Sequence, residues 1–143
     1  MSKYDKQLKA FTVLHRAQTS IQEATKKDIQ QHDLNLTEFA VMELLYHKGD
    51  QPLQQIGGKI LLASGSITYV VDKLEQKEYL QRIACKEDRR VTFAKITDKG
   101  KAFIEGVFPE HEKRIDDIMS VLTQDEKATV IELLKKIGYS AQN

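Results

Sequence analysis

Apolar positions recur every three or four residues through most of this chain and alternate in only one region. From residue 4 to 31, with neither Pro nor Gly, Leu8, Phe11, Leu14 or His15, Ala17 or Gln18 and Ile21 fall on one side of a helical repeat, so one long amphipathic helix is expected. Thr37 suits the cap of a second helix, whose Phe39, Val41, Met42, Leu44 and Leu45 are too continuously apolar for an exposed element. That helix belongs in the core. The stretch "HKGDQP" then breaks the chain, with Gly49 suited to a helix stop and Pro52 to the first turn of a short helix over 52–60.

Beyond the link "ILLAS", Ser64 can cap a helix running to about Lys77, with Ile67, Val70, Val71 and Leu74 on one side and Ser66, Thr68, Tyr69, Asp72 and Lys73 on the other. The period then shortens. "YLQRIAC" and "RVTFAKIT" read as two short strands joined by the charged turn "KEDR". Thr97 caps a fifth helix carrying Phe103, Ile104, Val107, Phe108, Ile115, Ile118, Met119 and Leu122, with Pro109 placed to bend it. A last helix starts at the capping box "TQDE", Thr123 to Glu126, and presents Val130, Ile131, Leu133, Leu134 and Ile137. The expected fold is mainly α with a small β-hairpin wing, its centre a helix-turn-helix followed by that wing.

At 143 residues, 41% of them hydrophobic and 30% charged, the chain has the size and composition of one globular domain. The formal net charge is only +1, but residues 59–101 hold ten Lys/Arg against six Asp/Glu (+4) while the rest hold twelve against fifteen (−3). A basic middle between acidic ends can present one face to phosphates. No apolar run approaches the roughly 20 residues that span a bilayer, and the polar start "MSKYDKQLK" lacks a signal peptide's apolar stretch. No membrane partner is expected, and a cytoplasmic location is. The single cysteine, Cys85, forms no intramolecular disulfide, which agrees with a reducing compartment.

In a helix-turn-helix, the start of the second helix meets base edges, where small residues allow close approach and hydroxyls both donate and accept. "SGSITY" answers that demand. Ser64, Gly65 and Ser66 would bring backbone N–H groups to a phosphate, and Thr68, Tyr69 and Lys73 would reach bases or backbone. In the wing, Lys86, Arg89 and Arg90 supply positive charge, and an arginine at the tip could enter a minor groove, with Asp88 directing Arg90 through a charge-assisted bond. Plainer readings are a capped amphipathic helix with a polar solvent face and a soluble turn that protects a sheet edge.

The run "SGSITYVVDKLEQKEYLQRIACKEDRRVTFAKITDKGK", with "LNLTEFAVMELLYHKGDQPLQQIGGKI" before it, resembles the MarR family of bacterial winged helix-turn-helix transcriptional regulators. The likeness spans nearly the whole chain. "TEFAVMELLYHKGDQPLQQIG" and "ASGSITYVVDKLEQ" are more narrowly similar to the branch that controls resistance to methylhydroquinone and catechol compounds. The resemblance implies a single domain over 1–143, with a winged-helix DNA-binding region over about 33–97 and dimerisation helices over about 1–32 and 98–143. It implies a homodimer on double-stranded DNA with a pseudo-palindromic operator, and a non-enzymatic regulator, most often a repressor acting in stress responses. The family's wing pattern, Asp-x-Arg, falls on Asp88 and Arg90. One departure is Glu78, where many members have Gly after the recognition helix; keeping a left-handed cap there costs on the order of 1 kcal/mol.

The same resemblance implies release of DNA by a small phenolic, quinone-like or catechol-like effector, in a cleft that Phe11, His15, Phe39, Met42 and Tyr46 would line. Each of these is also an ordinary core residue by type. Cys85 offers a redox alternative, since Arg82, Lys86 and Arg89 would favour its thiolate; the opposing reading is a small inert hydrophobe. Peroxide-sensing relatives carry their cysteine in the first helix, where this chain has none, so that role is not transferred. His15, His32, His47 and His111 lack close metal-ligand spacing, and no cofactor or metal is expected. "GGK" at 57–59 lacks a phosphate loop's spacing. A second class of function, a winged-helix module binding an acidic protein, stays open at this level.

Overall fold

The structure, a computed structural model, describes residues 2–60 and 67–142. Among these described residues six helices and three short strands follow in order: α1 (Asp5–Gln30), α2 (Leu36–Lys48), β1 (Gln51–Pro52), α3 (Leu53–Lys59), α4 (Ile67–Gln76), β2 (Leu80–Ala84), β3 (Thr92–Ile96), α5 (Asp98–Met119) and α6 (Gln124–Ala141). The chain divides into two compact units, residues 1–111 and 112–143.

The first unit holds the core. Met42 and Leu45 of α2, Ile56 of α3, Val71 and Leu74 of α4, Leu80 of β2 and Ile104 of α5 are almost wholly removed from solvent. Each such side chain contributes about 1.5–3 kcal/mol through burial. Helix α2 is interior, as its continuous apolar run predicts. By contrast, only Thr25 and Ile29 of α1 are buried, whereas Leu8 and Phe11 are 61% and 70% exposed.

Local chemistry accounts for both ends of α2, with one revision. Asn35, not Thr37, caps α2: its side chain accepts the Glu38 N–H at 2.8 Å, and Glu38 Oε1 accepts the Asn35 N–H at 3.1 Å. Thr37 is instead buried in the first turn. "NLTE" satisfies two orphan donors reciprocally, which Thr37 cannot do with Ala40 three residues on. Gly49 stops α2 at φ +82°, its N–H donating to the Leu45 carbonyl at 3.1 Å.

The sheet is three-stranded and antiparallel in the order β1-β3-β2, with Leu80 opposite Ile96, Ala84 opposite Thr92 and Gln51 opposite Ala94. The expected hairpin is present, but the third strand is unforeseen. It takes Gln51 and Pro52, so Pro52 caps α3 and does not form its first turn. A proline fits there because β1 is an edge strand.

Helix α4 ends on a left-handed residue that is not glycine. Glu78 has φ +65°; its N–H donates to the Glu75 carbonyl at 2.9 Å, and that of Tyr79 donates to the Leu74 carbonyl at 3.0 Å. These two bonds make a Schellman closure. The left-handed turn is therefore kept with Glu in a position that suits glycine.

In the second unit, α6 begins at the foreseen box, Thr123 Oγ1 accepting from the Glu126 N–H at 3.1 Å and Glu126 Oε1 accepting from the Thr123 N–H at 2.9 Å. Ile131, Leu133 and Ile137 of this helix are each 52% exposed.

Candidate nucleic-acid interface

Helix α4 buries Val70, Val71 and Leu74, and this pins it against the core while Thr68, Tyr69, Asp72 and Lys73 turn outward. Its apolar residues fall at three- and four-residue spacing, so one stripe packs and the opposite stripe is left for contact. Lys73 lies 5.1 Å from the centre of the Tyr69 ring one turn away. A hydrogen bond with Tyr69 is the main reason that Lys73 titrates above its ordinary range. The expected contacts Ser64, Gly65 and Ser66, with the cap assigned to Ser64, lie outside the described residues.

The wing is the turn between β2 and β3, closed by the Cys85 N–H donating to the Val91 carbonyl and the Val91 N–H donating to the Asp88 carbonyl, both at 3.0 Å. Asp88 grips Arg90 three times. Its Oδ1 accepts from the Arg90 backbone N–H at 3.0 Å and from Nε at 3.1 Å, and its Oδ2 accepts from Nη2 at 3.2 Å. The Arg90 side chain is nonetheless 90% exposed, so the carboxylate orients the cation without hiding it. The Arg90 side-chain bonds, followed by the bond from its backbone N–H, hold the Asp88 carboxyl below the usual carboxylate range. Lys86 and Arg89 are exposed beside this pair, and Gln54 of α3 donates to the Arg90 carbonyl at 3.5 Å.

Two further cations fasten α4, and sequence reasoning assigned neither this task. Arg82 of β2 donates from Nη1 to Glu75 and from Nη2 to Asp72, each at 2.5 Å. Desolvation opposes its charge, but these bonds outweigh that effect and raise its pKa above the ordinary arginine value. Lys77, just past α4, donates to the Asp33 carbonyl at 2.6 Å and to Glu38 Oε2 at 3.2 Å. The signal for the first was available: two acids three residues apart on one helix face, followed by an arginine in the next strand.

The residues expected to line an effector cleft are divided. Phe39 and Met42 are core, and the Phe39 ring lies 4.8 Å from the ring of His111, whose Nδ1 is buried with no hydrogen-bond partner among the described residues. The Tyr46 hydroxyl donates to Glu105 Oε1 at 3.3 Å, and desolvation, followed by the Glu105 charge, raises its pKa. Phe11 and His15 stand on the exposed part of α1. Cys85 is half-buried at the end of β2, and Arg82, one of its three expected activators, is engaged by Asp72 and Glu75. Among the described residues no three His, Cys, Asp or Glu converge on a metal position, and no helix is long and apolar enough to cross a membrane.

Comparison with known proteins gives this architecture its context. The model of the MarR family matches residues 34–92, from the start of α2 to the wing. The HTH-type transcriptional regulator MhqR of Bacillus subtilis is 60% identical over 138 residues, covering 96% of this chain and 95% of the relative. Among solved structures, Sco3205, a MarR family transcriptional regulator from Streptomyces coelicolor in complex with DNA, superposes with a TM-score of 0.87 at 15% identity over 100% of this chain and 94% of its own. BpsR of Bordetella bronchiseptica, from work on regulation of its DNA binding by 6-hydroxynicotinic acid, superposes with a TM-score of 0.81 at 20% identity over 96% of both chains. The two structures share the fold, and the 60% relative shows the lineage: the chain belongs to the MarR family and is a winged-helix transcriptional regulator.

Proposed function

We propose that this protein is a homodimeric, sequence-specific DNA-binding repressor that leaves its operator when a small phenolic or quinone-like molecule binds. The observation that carries the reading is Arg90, held outward by Asp88 at 90% exposure on the same unit as the outward face of α4. A cation with a set direction suits the negative potential of a minor groove, while Thr68, Tyr69 and Lys73 suit the adjacent major groove. The apolar stripes left open on α1 and on α6, Leu8 and Phe11 on one and Ile131 and Ile137 on the other, support pairing of two chains. Two such subunits would address half-sites about one helical turn apart. Sco3205 was solved with DNA, and BpsR responds to a hydroxylated aromatic acid, which agrees with both halves of the proposal.

The test is footprinting and gel shift on DNA upstream of the protein's own gene, with catechols and quinones added in turn. A discrete protected palindrome that fades with one of these compounds is expected. A module that binds only proteins would leave no discrete protection, and protection indifferent to every aromatic compound would remove the effector half.

A further inference from the structure

A helix that reads DNA has reason to avoid acids, yet α4 carries two carboxylates, Asp72 and Glu75, three residues apart and therefore on one face. Both meet the same cation. Arg82 donates from its backbone N–H to Glu75 Oε2 at 3.1 Å, from Nη1 to Glu75 Oε1 at 2.5 Å and from Nη2 to Asp72 Oδ1 at 2.5 Å. Its side chain is only 26% exposed, against 90% for Arg90, so Arg82 and Arg90 stand in opposite situations. One points at solvent, and the other points back into the protein. A planar guanidinium bridging two carboxylates on successive turns resists rotation more than a single point contact does. The main-chain bond from Arg82 to Glu75 ties the strand itself to the helix. Only Lys77, Glu78 and Tyr79 lie between α4 and β2, and the Schellman closure already holds that link.

We propose that Arg82 is a positioning residue, a strut that sets the angle between the recognition helix and the wing so that α4 and Arg90 reach neighbouring grooves in register, without itself touching DNA. The inference rests on the DNA-regulator reading above. It differs from the obvious alternative, in which Arg82 is one more phosphate contact in a basic region, because the strut has two ends of opposite charge. Breaking either end should have the same consequence, whereas a phosphate contact should respond with opposite signs.

The experiment measures affinity of the full-length protein for its footprinted operator and for a scrambled duplex of equal length, across a salt series. The variants are Arg82→Gln, which removes a positive charge, and the double variant Asp72→Asn/Glu75→Gln, which removes two negative ones. The strut predicts that the operator-to-scrambled affinity ratio falls in both by about tenfold or more, the discrimination one aligned base contact carries. The salt dependence of Arg82→Gln should stay that of the wild type. Arg82→Lys should not restore the ratio, because an ammonium cannot bridge both acids in one plane. An unchanged ratio in either variant overturns the strut. So does the phosphate-contact pattern, in which Arg82→Gln weakens both duplexes with a salt slope lower by about one and the double variant tightens both. If Arg82→Gln does not fold by circular dichroism, the double variant decides alone, since its two side chains are 50% and 41% exposed. A wild-type protein that makes no distinction between the duplexes would instead overturn the regulator reading.

Discussion

Gly100, in the first turn of α5, lies against Tyr79 so closely that a Cβ on it would stand 2.1 Å from the Tyr79 carbonyl oxygen and 2.8 Å from Ile96 Cγ1. That same carbonyl accepts the Thr97 N–H at 3.0 Å, and Thr97 Oγ1 caps the helix by accepting the Gly100 N–H at 3.0 Å. The end of the α4–β2 link and the start of α5 are thus locked together at one point. Gly100→Ala would force backbone apart at this lock and is expected to destabilise the protein by more than about 2 kcal/mol. Urea unfolding checks this, and a midpoint close to wild type would mean the contact relaxes freely.

Glu78 presents the opposite case. Its backbone stands in a conformation that glycine adopts without strain, at φ +65°, and its pair with Lys99 at 3.5 Å is exposed on both sides. An exposed pair of this kind stabilises little. Glu78→Gly should therefore stabilise the fold by about 1 kcal/mol, visible as a higher unfolding midpoint with an unchanged denaturant slope.

Lys77 is the cation that reaches the buried carboxylate of Glu38, whose side chain is only 6% exposed. Glu38 also closes the α2 capping box, so one residue links the α1–α2 corner to the end of α4. Lys77→Ala leaves that carboxylate short of a partner and is expected to cost about 1–3 kcal/mol. Adding Glu38→Gln to the Lys77→Ala background should recover part of the loss; a double variant as unstable as the sum of the singles would argue against coupling.

The Asp88–Arg90 pair sets a pH dependence. Because the folded-state pKa of Asp88 is depressed, the stabilisation from this pair is fully present above the unfolded carboxylate pKa and is lost as pH falls through the lower folded value. In an NMR titration of side-chain carboxylates, Asp88 should titrate below the ordinary aspartate range, and Arg90→Ala should return it there. An Asp88 curve that is the same in both proteins would show that the pair does not persist in solution.

Loss of Arg90 also tests the wing on DNA. Arg90→Ala should weaken operator binding and lower the slope of affinity against salt by about one, the signature of one cation withdrawn from the nucleic-acid surface. Equal affinity for wild type and variant over the whole salt series contradicts a role for the wing tip.

Much of this architecture is written in local spacing. The helix periods, the Thr97 and Thr123 caps, the Gly49 stop and the alternating strands of the wing each follow from contacts within about four residues or from one side-chain period, and all stand where the pattern places them. Asp88 and Arg90, two residues apart, are of this kind too. The MarR resemblance adds the fold and the regulatory class, carried by motifs such as "DRR" and "ITDKGK" that lie in continuous sequence. The Asn35 cap was also legible, since "NLTE" contains both partners of the box, whereas Thr37 has Ala40 where a capping box needs Glu or Gln.

The remaining features depend on which distant groups the folded chain brings together. A two-residue strand such as β1 has no period to detect, and Gln51–Pro52 becomes a strand only because the edge of β3 is free to accept it. Arg82 reads from its neighbours as a cation beside Cys85; packing of β2 on α4 turns it toward Asp72 and Glu75 instead. Gly100 reads as an unremarkable helix residue until the Tyr79 carbonyl is placed against it. By itself the sequence determined the helices, the wing hairpin and their order, because those rest on neighbours along the chain. Tertiary structure decided which long side chains face solvent and which turn back onto the protein, because a guanidinium reaches whatever the core has already set in front of it.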